Sequence, residues 1–350
     1  MLHNYVVISD VHLFHRRTPT QHIVDALWLW IAEHEAKIKK CKFFVIAGDI
    51  FDRFIPSHYP DISIANRFFY KFGAWLASNT ISLIVLEGTD THDRKQFASI
   101  MPVLAGTKVD VRYYDTVCVD VLDGMSVLFI PDNWNRDVNV TVADAKLALT
   151  NKGLRRADIA VMHGSFEYQL PMLKHGNFPQ AELEDLVEHC IHIGHVHKPS
   201  HSNKVHAQGS FDRLAHGEEH SKGGDAFINN KKYRLVNKYA YPYITLPITA
   251  TDPLKFKEQI KHTVEAMNCI GWLRIYADRT HPVFEHFGEI MSMFPGVRFE
   301  RQYVVKDIQH SQTQALPSVI QLTTDTIFSI IKDHYPSAHP NTLELIRSLI

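Results

Sequence analysis

Aspartate and histidine residues stand directly after five short apolar runs of this 350-residue chain. In chain order, the five sets are Asp10 and His12, Asp49 and Asp52, His92 and Asp93, His163, and His195 and His197. The Asp-x-His and His-x-His spacings put both side chains on one side of an extended segment, because side chains alternate with a period of two. Carboxylate and imidazole groups together suit Mn²⁺, Fe²⁺ or Zn²⁺, and imidazole is also a general acid near neutral pH. The pattern therefore predicts a metal centre with acid–base chemistry.

The number of candidate ligands indicates more than one metal ion. Six residues qualify by type and position: Asp10, His12, Asp49, His163, His195 and His197. One ion does not use so many protein ligands of this kind, whereas a carboxylate shared by two ions about 3.5–4 Å apart accounts for the number. Any one of these residues taken alone is more often a cap or a hydrogen-bonding core residue. Five strand-end sets in one chain argue against that interpretation for the group.

The apolar runs predict strands that are buried on both faces. They are four to six residues long and rich in Val, Ile and Phe: Tyr5–Ile8, Phe43–Ala47, Ile81–Leu86, Ser126–Ile130, Asp158–Met162 and Cys190–Ile193. Amphipathic helical patterns follow Thr20 and cover 62–78. Alternating strands and helices predict a layered α/β core. In such sheets ligands bind at the carboxyl ends of the strands, which is where the polar residues stand.

The pattern changes after about residue 204. Segments Ala226–Asn229 and Tyr233–Val236 flank the Asn229-Asn230 turn and predict a hairpin in a second sheet. A smaller unit follows, whose predicted elements are a helix over 255–267, a strand over 272–277, a helix over 283–294 and a strand over 297–305. Two further helices are predicted near the end of the chain, and Asn341 with Glu344 is typical of the start of the last one. We therefore predict three parts, which are 1–245, 246–310 and 311–350.

Composition narrows the class of protein. The chain has 37 basic and 38 acidic residues, so its net charge is −1, and its pI is about 7.1. A protein that coats nucleic acid needs an excess of Lys and Arg to replace phosphate counterions, and this chain has no such excess. Its four cysteines form no C-x-x-C pair, and neither a leader nor a stretch of about 18 apolar residues is evident. We expect reduced thiols, no membrane and a location in the cytoplasm.

The strand-end motifs resemble those of the calcineurin-like metallophosphoesterases. That family carries D-x-H, G-D-x-x-D, G-N-H-D, H and G-H-x-H, and this chain has all but the third in that form. The resemblance implies a layered α-β-β-α metallophosphoesterase sandwich with a small α+β capping domain. The residues it implies for the first metal are Asp10, His12, Asp49 and His197, and those for the second are Asp49, His163, His195 and the residue at the Asn position. It also implies that His92 protonates the leaving oxygen, and that Asp93 orients His92 and keeps it basic.

The third motif departs from the family pattern. The chain reads Gly88-Thr89-Asp90-Thr91-His92-Asp93, so the Asn is absent and two extra residues precede the His-Asp pair. Alignment on that pair places Thr91 where the Asn would be, and Asp90 is the other candidate for this ligand position. The variant is similar to a G-T-x-S/T-H-D form of phage-encoded members.

The segment after the last motif is similar to that of SbcD-type DNA repair nucleases. It contains Gly209-Ser210, Glu218-Glu219 and Lys222-Gly223, at the positions of G-S, E-E and K-G in that branch. The unit after residue 245 is similar to the capping domain of the branch. The resemblance implies a DNA nuclease, acting as a 3′→5′ exonuclease and as a single-strand endonuclease, in repair, recombination or phage DNA metabolism. It also implies a homodimer and two divalent metal ions, with Mn²⁺ preferred and Mg²⁺, Fe²⁺ or Zn²⁺ as alternatives.

Two features bear on the partners of the chain. It contains no P-loop sequence G-x-x-x-x-G-K-[ST], so any ATP dependence requires a second subunit, and the resemblance implies an SbcC-like SMC-family ATPase. The basic segment His15-Arg16-Arg17 follows the first motif and is a candidate contact for DNA backbone phosphates. A second basic cluster, Lys152 with Arg155-Arg156, is more typical of a solvated face.

Two alternatives from other functional classes stay open at this point. The first is a metal-dependent phosphatase or a phosphodiesterase of small substrates, which would hydrolyse small esters and ignore DNA. The second is a scaffold protein that keeps the fold but has weakened catalysis. The altered third motif is the reason to consider it. Less than one equivalent of metal per chain would favour the scaffold.

Overall fold

A computed structural model describes residues 4–132, 137–170 and 176–304. The strands are β1 (Tyr5–Ile8), β2 (Phe43–Ala47), β3 (Ser82–Leu86), β4 (Val111–Tyr114), β5 (Cys118–Leu122), β6 (Met125–Ile130), β7 (Ala157–His163), β8 (Val187–Gly194), β9 (Ser200–Ser202), β10 (Val205–Ala207), β11 (Gly223–Ile228), β12 (Lys231–Val236), β13 (Tyr243–Pro247), β14 (Gly271–Ala277) and β15 (Val297–Tyr303). The α-helices are α1 (Thr20–Ile38), α2 (Pro60–Ser78), α3 (Met101–Ala105), α4 (Val138–Asn151), α5 (Gln180–Glu184), α6 (Pro253–Ala266) and α7 (Phe287–Met293). The two helices predicted within 311–350 lie outside the described residues.

Two large sheets form the centre of the fold. The first has the order β12-β11-β1-β2-β3-β4, and the strands from β1 to β4 run parallel. The second has the order β5-β6-β7-β8-β10-β9, and β6, β7, β8 and β10 run parallel. A separate three-stranded parallel sheet contains β13, β14 and β15.

The two large sheets pack face to face, with helices on their outer faces. Side chains such as Val45 and Ile84 of the first sheet share one buried cluster with Phe129 and Val161 of the second. On the outer face of the first sheet, α1 and α2 contribute to a second cluster. On the outer face of the second sheet, α4 and α5 contribute to a third. The predicted layered α-β-β-α fold class is thereby confirmed.

This layering explains the composition of the elements. All residues of β1 and β2 are buried, because each strand has a helical layer on one face and the other sheet on the opposite face. Helix α1 buries Ile23, Leu27, Trp30 and Ile31, at the spacings of one helical face. Predicted bounds of the strands that end in polar motifs differ from the observed ones by three residues at most.

The predicted hairpin forms, but in a different sheet. Asn229 and Asn230 have φ values of 50° and 61°, as a two-residue hairpin turn requires, and they join β11 to β12. β11 pairs antiparallel with β1, with Tyr5 opposite Phe227. The hairpin therefore extends the first sheet, and its prediction as part of a second sheet is wrong. Local sequence indicates a hairpin but carries no signal for the strand edge on which it pairs.

The third sheet packs with α6 and α7 around its own buried cluster, which includes Phe256 and Ile275. The predicted helix over 283–294 is divided here into a 3₁₀ turn, Pro282–Phe284, and α7. All three sheets belong to one compact unit. No helix in the described part of the chain is both long and apolar enough to cross a membrane.

Candidate metal centre

Five strand ends from the two large sheets meet at one edge of the sandwich. β1, β2 and β3 are parallel neighbours in the first sheet, and β7 and β8 are parallel neighbours in the second. Two hydrogen bonds join the sheets at this edge. His163 Nδ1 lies 2.8 Å from the Ala47 carbonyl oxygen, and the His195 backbone N–H donates to Asp10 Oδ1 at 2.9 Å. The predicted site residues, which lie far apart in sequence, are therefore brought together.

The backbone is bent at these residues. Asp10, His12 and Asp49 each have a φ of 51°, and His195 has a φ of 99°. Residues with a Cβ rarely adopt positive φ, and such strain, of order 1–3 kcal/mol per residue, is typically kept where function requires it. Gly48, which precedes Asp49, has a φ of 82°, and a side chain there would overlap the His163 ring. Four strained residues among the candidate ligands indicate a backbone shaped for this site.

The first group of candidate ligands is Asp10, His12 and His197. Each offers a ligand atom within 4.8 Å of the others. His12 is only 2% exposed, and neither of its ring nitrogens makes a hydrogen bond; the nearest carboxylate oxygens are Asp52 Oδ1, 3.5 Å from Nδ1, and Asp49 Oδ2, 3.8 Å from Nε2. A buried polar atom without a partner is costly, and a metal ion is one way to satisfy it. This orphaned imidazole shows that the residues present fit a metal ion.

His197 is oriented by Glu218. Its Nδ1 lies 2.9 Å from Glu218 Oε1, so Nδ1 donates and Nε2 is left as the ligand atom. Glu218 is in turn bound by the Lys222 ammonium at 2.7 Å. Burial alone would raise the pKa of Glu218, but the hydrogen bond from His197 and the charge of Lys222 outweigh it and lower the pKa to about 2. The Glu218 carboxylate is therefore a permanently charged support for this ligand.

The second group is Asp49, His163 and His195, whose ligand atoms also lie within 4.8 Å of one another. A carbonyl oxygen only accepts, so His163 Nδ1 carries the proton that it shares with Ala47. His163 Nε2 then faces Asp49 Oδ2 at 3.2 Å. Burial would lower the pKa of His163, but the Asp49 carboxylate outweighs it and raises the pKa. The position therefore attracts positive charge, as a cation site does.

Asp49 lies between the two groups. Its Oδ1 accepts the Thr89 backbone N–H at 2.6 Å. Its Oδ2 faces His163 of the second group and is 3.8 Å from His12 Nε2 of the first. A carboxylate oxygen in this place can contact ions bound by either group. This is the arrangement expected of the predicted shared ligand.

The third motif differs from both expected alternatives. Asp90 and Thr91 are exposed, whereas Thr89 is buried and only 4% exposed. The backbone N–H groups of His92 and Asp93 both donate to the Thr89 carbonyl, at 2.8 and 2.9 Å. Asp90 and Thr91, which lie within this turn, are exposed. Thr89, rather than Thr91 or Asp90, has its side chain beside the second ligand group.

His92 lies at the edge of the first group. Its ring centroid is 5.0 Å from that of His12, and a third set of potential ligands contains His12, Asp52 and His92. His92 Nδ1 donates to the Asp52 carbonyl oxygen at 2.5 Å. The backbone of Asp52, rather than a carboxylate, therefore orients the ring.

Asp93 has a different role from the one predicted. It is buried, and its two oxygens accept the backbone N–H groups of Phe51 at 2.9 Å and Gly88 at 2.8 Å. These bonds tie the loop after β2 to the loop after β3. The expectation that Asp93 orients His92 is wrong, because His92 Nδ1 binds the Asp52 carbonyl oxygen instead. Asp93 is a positioning residue for the loops that carry the site.

Asp132 is the residue that sequence reasoning missed. Its Oδ2 is 3.3 Å from Thr89 Oγ1, beside the second group. Burial raises the pKa of Asp132, although the imidazoles of His163 and His195 lower it. The signal was present in the sequence, because Asp132 follows the end of β6 at Ile130 by two residues. Applying the strand-end rule to this strand would have found it.

The two predicted basic segments are partly paired within the chain. Arg17 Nη1 donates to Glu300 Oε1 at 2.8 Å, and its guanidinium lies 4.9 Å from the centre of the Trp272 ring. Arg156 donates to the Asp185 carbonyl oxygen at 2.9 Å. Arg16 is exposed. Arg17 thereby connects the loop after β1 to β14 and β15.

Comparisons with known proteins add little to this geometry. No family model matches the chain, and no curated protein matches it. Among solved structures, one chain aligns with 65% of this chain and 95% of its own length, at 15% sequence identity and a TM-score of 0.41. A match at this level carries no inference about function.

Proposed function

We propose that this protein is a two-metal phosphodiesterase that cleaves DNA. The observation that carries the proposal is the pair of adjacent ligand groups, with Asp49 Oδ2 facing His163 of one group and His12 of the other. Two-metal hydrolases of phosphate esters hold their ions about 3.5–4 Å apart and share a ligand in this way. The mixed carboxylate and imidazole donors suit Mn²⁺, Fe²⁺ or Zn²⁺, and Mn²⁺ is the ion we propose.

The bound ions would supply a nucleophile at neutral pH and neutralise charge on the phosphoryl oxygens. The chain's own residues fix where this chemistry takes place. Glu218 and the Ala47 carbonyl hold the His197 and His163 rings through Nδ1, which leaves Nε2 of each ring as the ligand atom. The Thr89 N–H fixes Asp49 with Oδ2 toward both groups. These hydrogen bonds reduce the reorganisation that ligand binding would otherwise require.

His92 is the proposed general acid. Its Nδ1 is engaged by the Asp52 carbonyl, so Nε2 is the nitrogen that exchanges a proton. The ring is half-buried beside His12, at the margin of the first ligand group. There it would donate a proton to the sugar oxygen as the phosphodiester bond breaks.

The DNA substrate is proposed from the resemblance to SbcD-type nucleases, and the placement of the resembling segment supports it. Ser210 N–H donates to the His197 carbonyl at 3.1 Å, and Phe211 N–H donates to the Asp10 carbonyl at 3.2 Å. Glu218, in the same segment, holds His197. The residues that suggest this branch therefore contact the first ligand group. We extend the proposal to 3′→5′ exonuclease and single-strand endonuclease activity, in association with an SMC-family ATPase.

The test is cleavage of end-labelled linear double-stranded DNA with Mn²⁺, with and without EDTA. The wild-type chain is compared with His92→Ala and with His262→Ala, a control at an exposed histidine of α6. We expect EDTA-sensitive cleavage, and a 10²–10⁴-fold lower rate in the His92 variant, because this is the usual contribution of a general acid. Bound Mn²⁺ should be the same in all three proteins.

Other outcomes would contradict parts of the proposal. Parental rates in the His92 variant would remove its role as acid. Hydrolysis of bis(p-nitrophenyl) phosphate without cleavage of DNA, in the presence or absence of ATPase partner, would favour a phosphodiesterase of small substrates. Fewer than two Mn²⁺ per chain at saturation would contradict the two-metal site itself.

A further inference from the structure

The hydroxyl of Thr89 is surrounded by four polar side chains of the second ligand group and its margin. Thr89 Oγ1 lies 3.3 Å from both Asp49 Oδ2 and Asp132 Oδ2. It also lies 3.4 Å from His163 Nε2 and from His195 Nδ1. A small neutral side chain is thus the meeting point of two carboxylates and two imidazoles.

These groups cannot all be satisfied by one another. A hydroxyl has one proton to donate, and an ionised carboxylate only accepts. Asp49 Oδ2 and Asp132 Oδ2 are both carboxylate oxygens, so two acceptors face the single Thr89 hydroxyl proton, which can be donated to only one of them. A cation at this point would interact favourably with both carboxylates.

We propose that Asp132 contributes a carboxylate to the second metal position. The inference rests on the proposed two-metal function. Family members supply an amide from the third motif, whereas here that place holds the Thr89 hydroxyl, which is a weaker ligand. Asp132 reaches the same point from the end of β6 and adds the negative charge that the hydroxyl lacks. The second position then has a carboxylate from each large sheet, Asp49 and Asp132.

The matched controls come from the same loop as Thr89. Asp90 and Thr91 have the same residue types as Asp132 and Thr89, but both are exposed. The comparison is therefore Asp132→Asn and Thr89→Val against Asp90→Asn and Thr91→Val. His163→Gln serves as the reference for loss of the second ion.

The experiment measures Mn²⁺ stoichiometry by atomic emission and stepwise Mn²⁺ affinity by calorimetry, independently of activity. We expect two Mn²⁺ in the wild-type chain and in both controls. In Asp132→Asn and in Thr89→Val, the affinity of the weaker of the two Mn²⁺-binding steps should fall at least about tenfold. This is the lower end of the effect of mutating groups that support metal ligands. Adding Thr89→Asn to Asp132→Asn should restore part of it, because the usual amide ligand is then present.

The outcomes separate this inference from the proposed function. Two Mn²⁺ with unchanged affinities in Asp132→Asn, beside a lost ion in His163→Gln, would overturn the role of Asp132 and leave the two-metal proposal standing. Fewer than two Mn²⁺ in the wild-type chain at saturation would overturn the two-metal proposal. If Asp132→Asn does not fold by circular dichroism, Asp132→Ser decides, because wild-type Mn²⁺ affinity in a chain without this carboxylate would also overturn the inference.

Discussion

Two buried histidines of this protein have opposite surroundings. His192, within β8, is 0% exposed, and its Nε2 and Nδ1 lie 2.9 Å from the Tyr5 hydroxyl and 3.2 Å from the Gln208 amide nitrogen. His12, in the candidate metal centre, is 2% exposed and makes no hydrogen bond, and the carboxylates of Asp52 and Asp49 lie 3.5 and 3.8 Å from its nitrogens. The protein itself satisfies the first ring and leaves the second unsatisfied.

The contrast shows that burial does not distinguish a structural histidine from a ligand. Leaving a buried donor or acceptor unpaired costs about 1–3 kcal/mol, so a folded chain retains one where another interaction compensates. Burial lowers the pKa of His192 well below its usual range, which keeps that ring neutral within its hydrogen bonds. The unpaired nitrogens of His12 are instead available to an ion. Partner count, rather than exposure, separates the two regions.

The sharpest test of this comparison replaces one histidine from each region by glutamine. His163 and His192 are both 0% exposed and lie on the neighbouring strands β7 and β8. His163→Gln should lose one Mn²⁺ and slow DNA cleavage by about 10³-fold or more, because a catalytic metal ion contributes several kcal/mol and each 1.36 kcal/mol is tenfold. His192→Gln should keep both ions and cleave within about threefold of the wild-type rate. The measurements are bound Mn²⁺ and initial cleavage rate.

Loss of Mn²⁺ in His192→Gln, with its fold intact by circular dichroism, would break the comparison. It would mean that the histidines between the sheets also support the metal centre. Equal activity of His163→Gln and the wild-type chain would instead remove His163 from the catalytic site.

The layered fold and the convergence of the ligands could be predicted from the sequence. The reason is that each polar set follows its own apolar run, so its location at a strand end is a local property. Asp10, Asp49 and His163 were placed on that basis, and the structure brings them together. Asp132 also follows the end of a strand, β6, so its place beside the second ligand group was equally predictable.

Other features depended on contacts that leave no local signal. Asp93 stands beside His92 in sequence, but its carboxylate binds the backbone of Phe51 and Gly88, and any residue type could supply those N–H groups. Alignment on the His-Asp pair predicts Thr91 as the ligand. It cannot show the turn in which the His92 and Asp93 N–H groups bind the Thr89 carbonyl, because that turn is a property of the three-dimensional structure. Backbone partners and loop geometry therefore account for what was missed.

A second test concerns the support of a ligand rather than the ligand itself. Glu218 binds His197 Nδ1, whereas the next residue, Glu219, is exposed. Glu218→Gln should weaken Mn²⁺ binding at the first position by about 10–100-fold, because an amide supports the ring less well than a carboxylate. Glu219→Gln should bind Mn²⁺ as the wild-type chain does. Calorimetric titration with Mn²⁺ measures both, and equal affinities in the two variants would show that His197 needs no charged partner.

The smallest effect is expected in the stability of the metal-free protein, and it addresses the comparison directly. His192→Leu removes hydrogen bonds and leaves the Tyr5 hydroxyl with only the Cys190 thiol, at 3.5 Å, so unfolding in urea with EDTA should show a loss of about 1–3 kcal/mol. His12→Leu removes no hydrogen bond, only the longer contacts with Asp52 and Asp49 at 3.5 and 3.8 Å, and its loss should stay below about 1 kcal/mol. The measurement is the urea midpoint of each variant at pH 8, and His192→Leu should have the lower one. A larger loss of unfolding free energy in His12→Leu than in His192→Leu would show that the His12 ring stabilises the fold. His12 would then not be a residue that is kept for metal binding at the expense of stability.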